Sequence, residues 1–285
     1  MVRIGFVTCV RLGEMVLEEI LALGDRVECI VTLDDGAAQA KSGRIYADEM
    51  ARKHQAELHK TRNINDAETV DWLRLQNLDW LFIIGWSQIA RPSVLDVARY
   101  GTLGMHPTLL PEGRGRASIP WAIIKGLEKT GVTLYKLDSG VDTGPIVSQV
   151  ELAVFPDETA TTLYERVSEA HRTLIRDVWN DIRDGRVTLE PQDESKASTW
   201  PGRRPEDGEL VSTMAVDEAD RLVRAVTHPY PGAFWRLQDG RILRVWAGRP
   251  ISYDEEVEGP SLVFRDGRYG PTDFDYESKE EVGTA

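Results

Sequence analysis

The sequence predicts an α/β fold: a Rossmann-like, mostly parallel sheet with helices on both faces, followed by a small β-rich, OB-like C-terminal domain. Up to Ile182, short apolar or β-branched runs alternate with runs of helical spacing, which is typical of a parallel sheet covered on both faces. Near the C-terminus, Asp239-Gly240 stands between two apolar runs and predicts a hairpin. The 285 residues are enough for one large domain, or for a large domain and a small one.

The first half of the chain contains the clearest strands. Val2–Thr8 is apolar and β-branched, and it predicts a buried first strand. The next apolar residues recur at helical spacing as far as Leu23 and are followed by Gly24, a residue that commonly ends a helix. The further predicted elements are a strand at Val27–Val31, a polar stretch from Asp34 to Gly43, helices at about Ile45–Gln55 and Asp66–Gln76, a strand at Trp80–Ile84, a helix from Pro92 to about Ala98 and a strand at Gly101–Met105.

The second half is predicted to complete the sheet and to form the C-terminal domain. Ser118 begins a helix with Pro120 near its first turn, where the missing N–H costs little. The other predicted elements are strands at Thr130–Leu137 and Ile146–Leu152, a long amphipathic helix at Thr159–Ile182, a short helix at Val216–Val226, and hairpin strands at Phe234–Leu237 and Ile242–Trp246. The predicted domains are therefore 1–195 and 196–270, with an acidic tail at 271–285.

Charge and composition argue against nucleic acids and membranes as partners. The formal net charge is −13, and no basic stripe is visible that would hold a polyanion such as tRNA or DNA. Cys9 and Cys29 both lie in apolar runs, which favours buried, reduced thiols in a reducing compartment. Charged residues follow the N-terminal apolar run too soon for a signal peptide, and no run reaches the roughly 18 apolar residues of a membrane span. We therefore expect a cytoplasmic protein that binds neither nucleic acid nor a membrane.

The sequence lacks the common cofactor motifs. Thr8–Gly13, after the first strand, is not a dinucleotide fingerprint, and no P-loop is present. The histidines and cysteines form no pair with metal-ligand spacing, so no metal is predicted. His54 and His59 are predicted on the surface, and His171 as a structural residue of the long helix. Hydride transfer and nucleotide hydrolysis therefore have no support.

His106 is the strongest candidate for chemistry. It follows directly on the strand at Gly101–Met105, and open α/β sheets place their active sites at such strand ends. Asp142 follows 36 residues later, in a loop rich in glycine and acidic residues. An imidazole with a pKa of ~6.5 can take a proton from an attacking amine, and a carboxylate can hold the ring in the useful tautomer. The local pattern is compatible both with such a pair and with a structural histidine.

Seven short motifs extend from His106 to Phe234. They are His106-Pro-Thr-Leu-Leu-Pro111, Arg114-Gly-Arg116, Ile119-Pro-Trp-Ala-Ile123, Thr130-Gly-Val-Thr133, Asp142-Thr-Gly-Pro-Ile-Val147, Trp200-Pro-Gly-Arg-Arg-Pro-Glu-Asp207 and Arg224-Ala-Val-Thr-His-Pro-Tyr-Pro-Gly-Ala-Phe234. With its surroundings, this series resembles the 10-formyltetrahydrofolate-dependent formyltransferases, a family that includes methionyl-tRNA formyltransferase, glycinamide ribonucleotide formyltransferase and sugar N-formyltransferases. The second domain is most similar to the sugar enzymes.

The resemblance implies a reaction and a set of residues. The reaction is formyl transfer from 10-formyltetrahydrofolate to a primary amine through a tetrahedral oxyanion. His106 is implied as the base, Asp142 as its orienting partner, and Gly104 occupies the position where the family usually has an asparagine. The implied folate contacts are Gln88, Ile89, Ala90 and the backbone near Val141, and the implied acceptor contacts are Trp86, Thr108, Arg114 and Arg116.

The missing asparagine leaves three explanations open. The loss of one oxyanion donor costs ~10²–10³ in rate. A backbone N–H, Ser87 or a water supplies the donor; or the reaction uses another acyl donor or water as the attacking group; or the protein is a folate or nucleotide binder that has lost turnover. The intact His106 and Asp142 motifs favour the first explanation.

A small anionic acceptor suits this sequence best. The expected acceptor is a nucleotide-linked amino sugar, with arginines in contact with its phosphate or carboxylate groups. The candidate arginines are Arg114, Arg116, Arg203 and Arg204. Another small amine, of the amino-acid or natural-product type, and methionyl-tRNA are the alternatives, and the net charge of −13 disfavours tRNA. The resemblance also allows a homodimer.

Overall fold

The structure, a computed structural model, describes residues 2–36 and 44–277. The strands are β1 (Ile4–Val7), β2 (Val27–Leu33), β3 (Glu57–Thr61), β4 (Trp80–Ile83), β5 (Gly101–His106), β6 (Arg114–Gly115), β7 (Lys129–Lys136), β8 (Ile146–Ala153), β9 (Thr199–Trp200), β10 (Ala233–Arg236), β11 (Ile242–Ile251), β12 (Leu262–Val263) and β13 (Arg268–Glu277). The α-helices are α1 (Arg11–Ala22), α2 (Asp48–His54), α3 (Ala67–Leu75), α4 (Pro92–Leu95), α5 (Ser118–Ile124), α6 (Ala160–Arg183) and α7 (Val216–Val226).

The contacts divide the chain into two compact units. The first unit contains Met1–Arg114, Gly131–Glu151 and Val167–Thr199. The second unit contains Gly115–Thr130, Leu152–Arg166 and Trp200–Ala285. The segment at 115–130 groups with the C-terminal residues because α5 packs against α7. The domain boundary predicted at residue 195 stays a prediction, although the last segment of the second unit begins close to it.

The larger sheet has the strand order β3-β2-β1-β4-β5-β7-β8. The first five strands in this order pair in parallel, whereas β5 pairs with β7 in the antiparallel sense. The carboxyl ends of β1, β4 and β5 therefore meet at one edge of the sheet, where a Rossmann-like fold places its chemistry. The predicted Rossmann-like, mostly parallel sheet is confirmed.

The core of the first unit is apolar and closely packed. Phe6 and Phe82, on neighbouring strands, stack with ring centroids 6.0 Å apart. Helix α1 lies close to the sheet at Gly13, where an added Cβ would be 2.3 Å from the carbonyl oxygen of Ile84. Cys29 is fully buried, and burial raises the pKa of its thiol to about 12. The thiol therefore stays protonated, and its burial agrees with the sequence prediction of a core cysteine.

The second unit contains an antiparallel sheet with the order β10-β11-β13-β12. The predicted hairpin is formed by β10 and β11, with Trp235 opposite Leu243 in its register. Helix α7 covers β11 and buries Leu222 and Val223. The predicted β-rich, OB-like C-terminal domain is confirmed.

Several local predictions differ from the structure or lie outside it; among them, the helix predicted from Pro92 to about Ala98 ends at Leu95. Strand β3 was not predicted, because Glu57-Leu58-His59-Lys60-Thr61 is polar and lies at the sheet edge, where one side of the strand needs no apolar cover. Helix α2 begins at Asp48, three residues after the predicted start. The predicted acidic tail from 271 is strand as far as Glu277, because β13 pairs with β11 along its length, and residues 278–285 lie outside the described residues. The polar stretch from Asp34 to Gly43 is described only to Gly36.

Candidate active site

The His106 ring lies at the carboxyl end of β5 and is 7% exposed. Its Nε2 atom is 2.8 Å from the carbonyl oxygen of Gly113. A carbonyl oxygen only accepts, so Nε2 carries a hydrogen in this geometry. Nδ1 lies 3.6 Å from Oδ2 of Asp142. The structure thus brings together the histidine and the carboxylate that the sequence paired.

The Asp142 loop is shaped by its own polar and glycine residues. Asp138 Oδ1 accepts hydrogen bonds from the backbone N–H of Gly140 and from the hydroxyl of Thr143. At Gly144 an added Cβ would lie 1.7 Å from the carbonyl oxygen of Lys136, so only glycine allows this approach. Asp142 itself has a φ of 56°, in the left-handed region that aspartate tolerates better than most residues. The motif therefore folds into a turn that presents the Asp142 carboxylate to β5.

Tyr135 is a second partner of Asp142 that the sequence did not indicate. Its hydroxyl donates a hydrogen bond to Oδ1 of Asp142 at 2.6 Å. Tyr135 is only 5% exposed, and it lies directly opposite Gly104 in the register of β7 on β5. The sequence did not indicate this role for two reasons. A tyrosine in an apolar strand is typical of a core residue, and the register that places Tyr135 opposite Gly104 is not visible in the sequence.

Gly104 lies on the same face of β5 as His106, two residues before it. An added Cβ at Gly104 would be 2.7 Å from Cδ2 of Leu137. Leu137 therefore fills the space beside the position at which the resemblance implies an asparagine. The side chain that stands there is apolar and donates no hydrogen bond.

Arg114 is buried and occupied by protein partners. Its side chain is 8% exposed, and Nη2 lies 2.7 Å from Oε1 of Glu194 and 2.7 Å from Oε1 of Gln192. Gln192 in turn donates hydrogen bonds to the carbonyl oxygens of Asp142 and Gly144. In this structure the Arg114 side chain supports the Asp142 loop through Gln192. This role differs from the acceptor contact that was predicted for Arg114.

The residues implied for the folate fall into two groups. Ile89 and Val141 are exposed apolar side chains, at 68% and 51%. Ala90 is buried in the core, and the Gln88 amide is engaged with the backbone of Arg62 and Ile64. Exposed apolar side chains can pack against the flat face of a fused ring, whereas the Gln88 amide is already hydrogen-bonded within the protein. The folate contacts at Gln88, Ile89, Ala90 and Val141 stay a prediction.

Two buried polar atoms of the predicted acceptor site have no hydrogen-bond partner in the part of the chain that is described. They are Nε1 of Trp86 and Oγ1 of Thr108. A buried donor without a partner costs free energy, and such groups often belong to a ligand site. Both residues follow strands of the catalytic edge, Trp86 after β4 and Thr108 after β5. They fit a polar ligand at this edge.

The remaining predicted arginines belong to the second unit. Arg116 and Arg204 are exposed, and the Arg203 guanidinium lies 5.0 Å from the centroid of the Trp121 ring. Burial lowers the pKa of Arg203 from its usual value. Among the described residues, none of these three arginines forms an ion pair with a carboxylate. Arg203 and Arg204 line a cleft of about 200 Å³ whose other walls include Pro120, Pro205 and Tyr230.

Neither a metal cluster nor a membrane helix is found in the described segments. Within 2–36 and 44–277, no group of three or more His, Cys, Asp or Glu side chains is arranged to hold a metal ion. Over the same residues, no helix combines the length and the apolar character needed to cross a membrane.

A Rossmann-like sheet with a histidine–carboxylate pair at the carboxyl ends of its strands fits a group-transfer enzyme. The comparisons with known proteins agree: the family model described as formyl transferase matches residues 22–178, and a methionyl-tRNA formyltransferase of Agathobacter rectalis is 32% identical over 254 residues, 88% of this chain and 81% of the relative. The chain belongs to the formyl transferase family. It is an N-formyltransferase, as the sequence predicted.

Solved structures of the same fold include enzymes with different acceptors. A sugar N-formyltransferase from a Shewanella species has a TM-score of 0.69 at 16% identity, and the match covers 90% of this chain and 100% of that one. An N-formyltransferase from Helicobacter canadensis, in complex with folinic acid and dTDP-3-aminofucose, has a TM-score of 0.70 at 15% identity, covering 94% and 98%. The methionyl-tRNA formyltransferase from Clostridium thermocellum has a TM-score of 0.61 at 17% identity, covering 98% and 100%. At these identities the likeness shows the fold alone.

Proposed function

We propose that this enzyme transfers a formyl group from 10-formyltetrahydrofolate to the primary amine of a nucleotide-linked amino sugar, with His106 and Asp142 as the catalytic pair. The observation that carries the catalytic part is the His106–Asp142 pair at the edge of the sheet. The amine nitrogen bonds to the formyl carbon, the bond from that carbon to the folate nitrogen breaks, and the amine loses a proton.

The proton has a defined place in this geometry. Because Nε2 of His106 carries a hydrogen, Nδ1 is the ring nitrogen that would accept a proton in the proposed step. A proton on Nδ1 faces the Asp142 carboxylate, which stabilises the positive charge. The Nε2–H group is then a donor that the formyl oxygen can take over from Gly113 as negative charge develops on it. The proton lost by the amine finally goes to the departing folate nitrogen, so that the products are the formamide and tetrahydrofolate.

The cations of the second unit support an anionic acceptor. Arg203, Arg204 and the apolar walls of their cleft combine unpaired positive charge with flat, apolar surfaces. Lys125 adds a third cation near Trp121, with Nζ 5.6 Å from the ring centroid. Guanidinium groups without a carboxylate partner suit the phosphates of a nucleotide, and the apolar walls suit its base. The predicted role of Arg116 as a phosphate contact belongs to the same proposal.

Methionyl-tRNA is the second candidate acceptor. It is supported by the 32% identity to a methionyl-tRNA formyltransferase over most of the chain. The net charge of −13 opposes it, because neutralised phosphates provide most of the affinity of proteins for nucleic acids. Other small amines stay as a further alternative. The cytoplasmic location and the homodimer stay predictions as well.

An assay with a panel of amines tests the proposal. The release of tetrahydrofolate from 10-formyltetrahydrofolate is followed with nucleotide-linked amino sugars, free amino sugars, amino acids and methionyl-tRNA. We expect release that depends on a nucleotide-linked amino sugar, and weaker use of the free sugar because it lacks the phosphates. Preferential use of methionyl-tRNA would replace the proposed acceptor. Release without any amine would identify a hydrolase, and folate binding without release would identify a binder.

A further inference from the structure

The carboxylate of Asp142 is shared between two side chains. Its Oδ1 accepts the hydrogen bond from Tyr135 at 2.6 Å, and its Oδ2 lies 3.6 Å from Nδ1 of His106. A carboxylate held at one oxygen by a stiff aromatic side chain has little freedom to rotate. The contact with Tyr135 therefore determines which oxygen faces the histidine.

The Tyr135 hydroxyl is a hydrogen-bond donor over the whole working pH range of an enzyme. Burial, followed by the negative charge of Asp142 and the hydrogen bond to it, raises the pKa of the phenol well above its usual value. The phenol keeps its proton, and the proton has one acceptor among the described contacts, the Asp142 carboxylate. A protonated phenol beside an ionised carboxylate makes a charge-assisted hydrogen bond.

The backbone of Asp142 is held separately. Gln192 donates to the carbonyl oxygens of Asp142 and Gly144, at 2.9 and 2.7 Å. Gln192 holds the backbone of Asp142, and Tyr135 holds its Oδ1 atom. Together these contacts orient Oδ2 toward His106 on β5.

We propose that Tyr135 is a positioning residue for formyl transfer: it fixes the Asp142 carboxylate so that Oδ2 faces His106. The inference rests on the proposed function for the reaction, but the contact itself is testable without activity. A purely structural role predicts something different. If the hydrogen bond only satisfies the buried Tyr135 hydroxyl, phenylalanine removes the hydroxyl and with it the requirement for an acceptor. A structural role therefore predicts unchanged catalysis in Tyr135→Phe.

The kinetic test compares Tyr135→Phe with Tyr253→Phe, which removes an exposed hydroxyl in the second unit. We expect kcat of Tyr135→Phe to fall about 10- to 100-fold while KM for the acceptor stays within about threefold, since positioning acts on the transition state. Tyr253→Phe should match the wild type. Because Tyr135 acts through Asp142, Tyr135→Phe should cause no further loss in an Asp142→Asn background. Wild-type kcat in Tyr135→Phe, or additive losses in the double variant, overturns the inference.

A second measurement needs no turnover. With tyrosine labelled at Cζ, the resonance that disappears in Tyr135→Phe is that of Tyr135, and its chemical shift is compared by NMR in the wild type and in Asp142→Asn. We expect the resonance to move in Asp142→Asn, because a neutral amide replaces the ionised acceptor of the phenol proton. An unchanged chemical shift overturns the inference. If the wild type formylates no amine while this resonance moves, the proposed function fails and the Tyr135–Asp142 contact stands.

Discussion

Leu137 lies over Gly104, so close that a Cβ at residue 104 would be 2.7 Å from Cδ2 of Leu137. The two residues are diagonal neighbours on β5 and on the chain that leaves β7, and they face the same side as His106. The position at which the family resemblance implies an asparagine is thus filled by an apolar side chain from the next strand. Glycine at residue 104 and leucine at residue 137 are structurally coupled, because a side chain at residue 104 requires Leu137 to move.

The first prediction concerns this pair. Gly104→Asn alone should lower the free energy of unfolding by about 1–2 kcal/mol, because it overpacks the space held by Leu137. Gly104→Asn with Leu137→Ala should relieve the overpacking. If another donor already serves the formyl oxygen, as we expect, the double variant should keep kcat within about threefold of Leu137→Ala.

Urea denaturation and steady-state kinetics of the two single variants and the double variant measure both effects. A gain in kcat of about 100-fold in the double variant would show that the wild-type site lacks an oxyanion donor.

The second prediction concerns His106. His106→Ala should lower kcat about 10²- to 10⁴-fold, the usual contribution of general acid–base catalysis, while the affinity for folate changes little. His54→Ala, on α2, is the matched control and should keep full activity. Kinetics and equilibrium folate binding distinguish the outcomes, and a wild type that binds folate but has no turnover to lose would support the binder alternative.

The third prediction separates two roles of Arg114. If Arg114 braces the Asp142 loop through Gln192, Arg114→Lys should lower kcat with little change in KM, because a lysine cannot reproduce the forked contacts. If Arg114 contacts the acceptor, as the sequence predicted, KM for the acceptor should rise instead. Arg52→Lys changes an exposed arginine on α2 and serves as the comparison. Steady-state kinetics with varied acceptor give both constants.

The fourth prediction concerns the fully buried His171. Burial lowers its pKa from about 6.5 to about 4, and Nδ1 donates to the carbonyl oxygen of Val167. Between these values the unfolded chain binds a proton that the folded protein does not, so the free energy of unfolding falls as the pH drops from about 6.5 to about 4. The contribution of this residue is at most about 3 kcal/mol.

Urea denaturation at pH 7.5, 6 and 5 measures this dependence. His171→Asn keeps a donor near Nδ1 but does not titrate, so the difference between wild type and variant should shrink as the pH falls. A difference that does not depend on pH would contradict the prediction.

The sequence predicted the parts of the fold that depend on local pattern. The buried strands around Phe6 and Phe82 and the hairpin at Asp239-Gly240 have strong periodic or turn signals, and the structure contains them. Strand β3 was not predicted, because an edge strand does not need apolar residues on both faces. Strand β13 was not predicted, because its alternation of apolar and polar residues is weak and Pro271 interrupts it.

The predicted site was incomplete for a different reason. His106 and Asp142 carry a motif, so their pairing was visible in the sequence. The partners of Arg114 lie 78 and 80 residues further along the chain, and nothing local connects Gln192 or Glu194 to the loop that they support. Contacts of this kind depend on the tertiary path of the chain and leave no trace in spacing or composition.

The position of Gln192 has a consequence for how the protein is made. The loop that carries Asp142 receives two of its hydrogen bonds from a residue that is 48 to 50 positions later in the chain. During synthesis, the sheet strands and His106 emerge from the ribosome well before the residue that holds the loop. The proposed catalytic pair is therefore completed late: a nascent chain that ends before Gln192 contains His106 and Asp142 but lacks the two hydrogen bonds that hold the Asp142 loop.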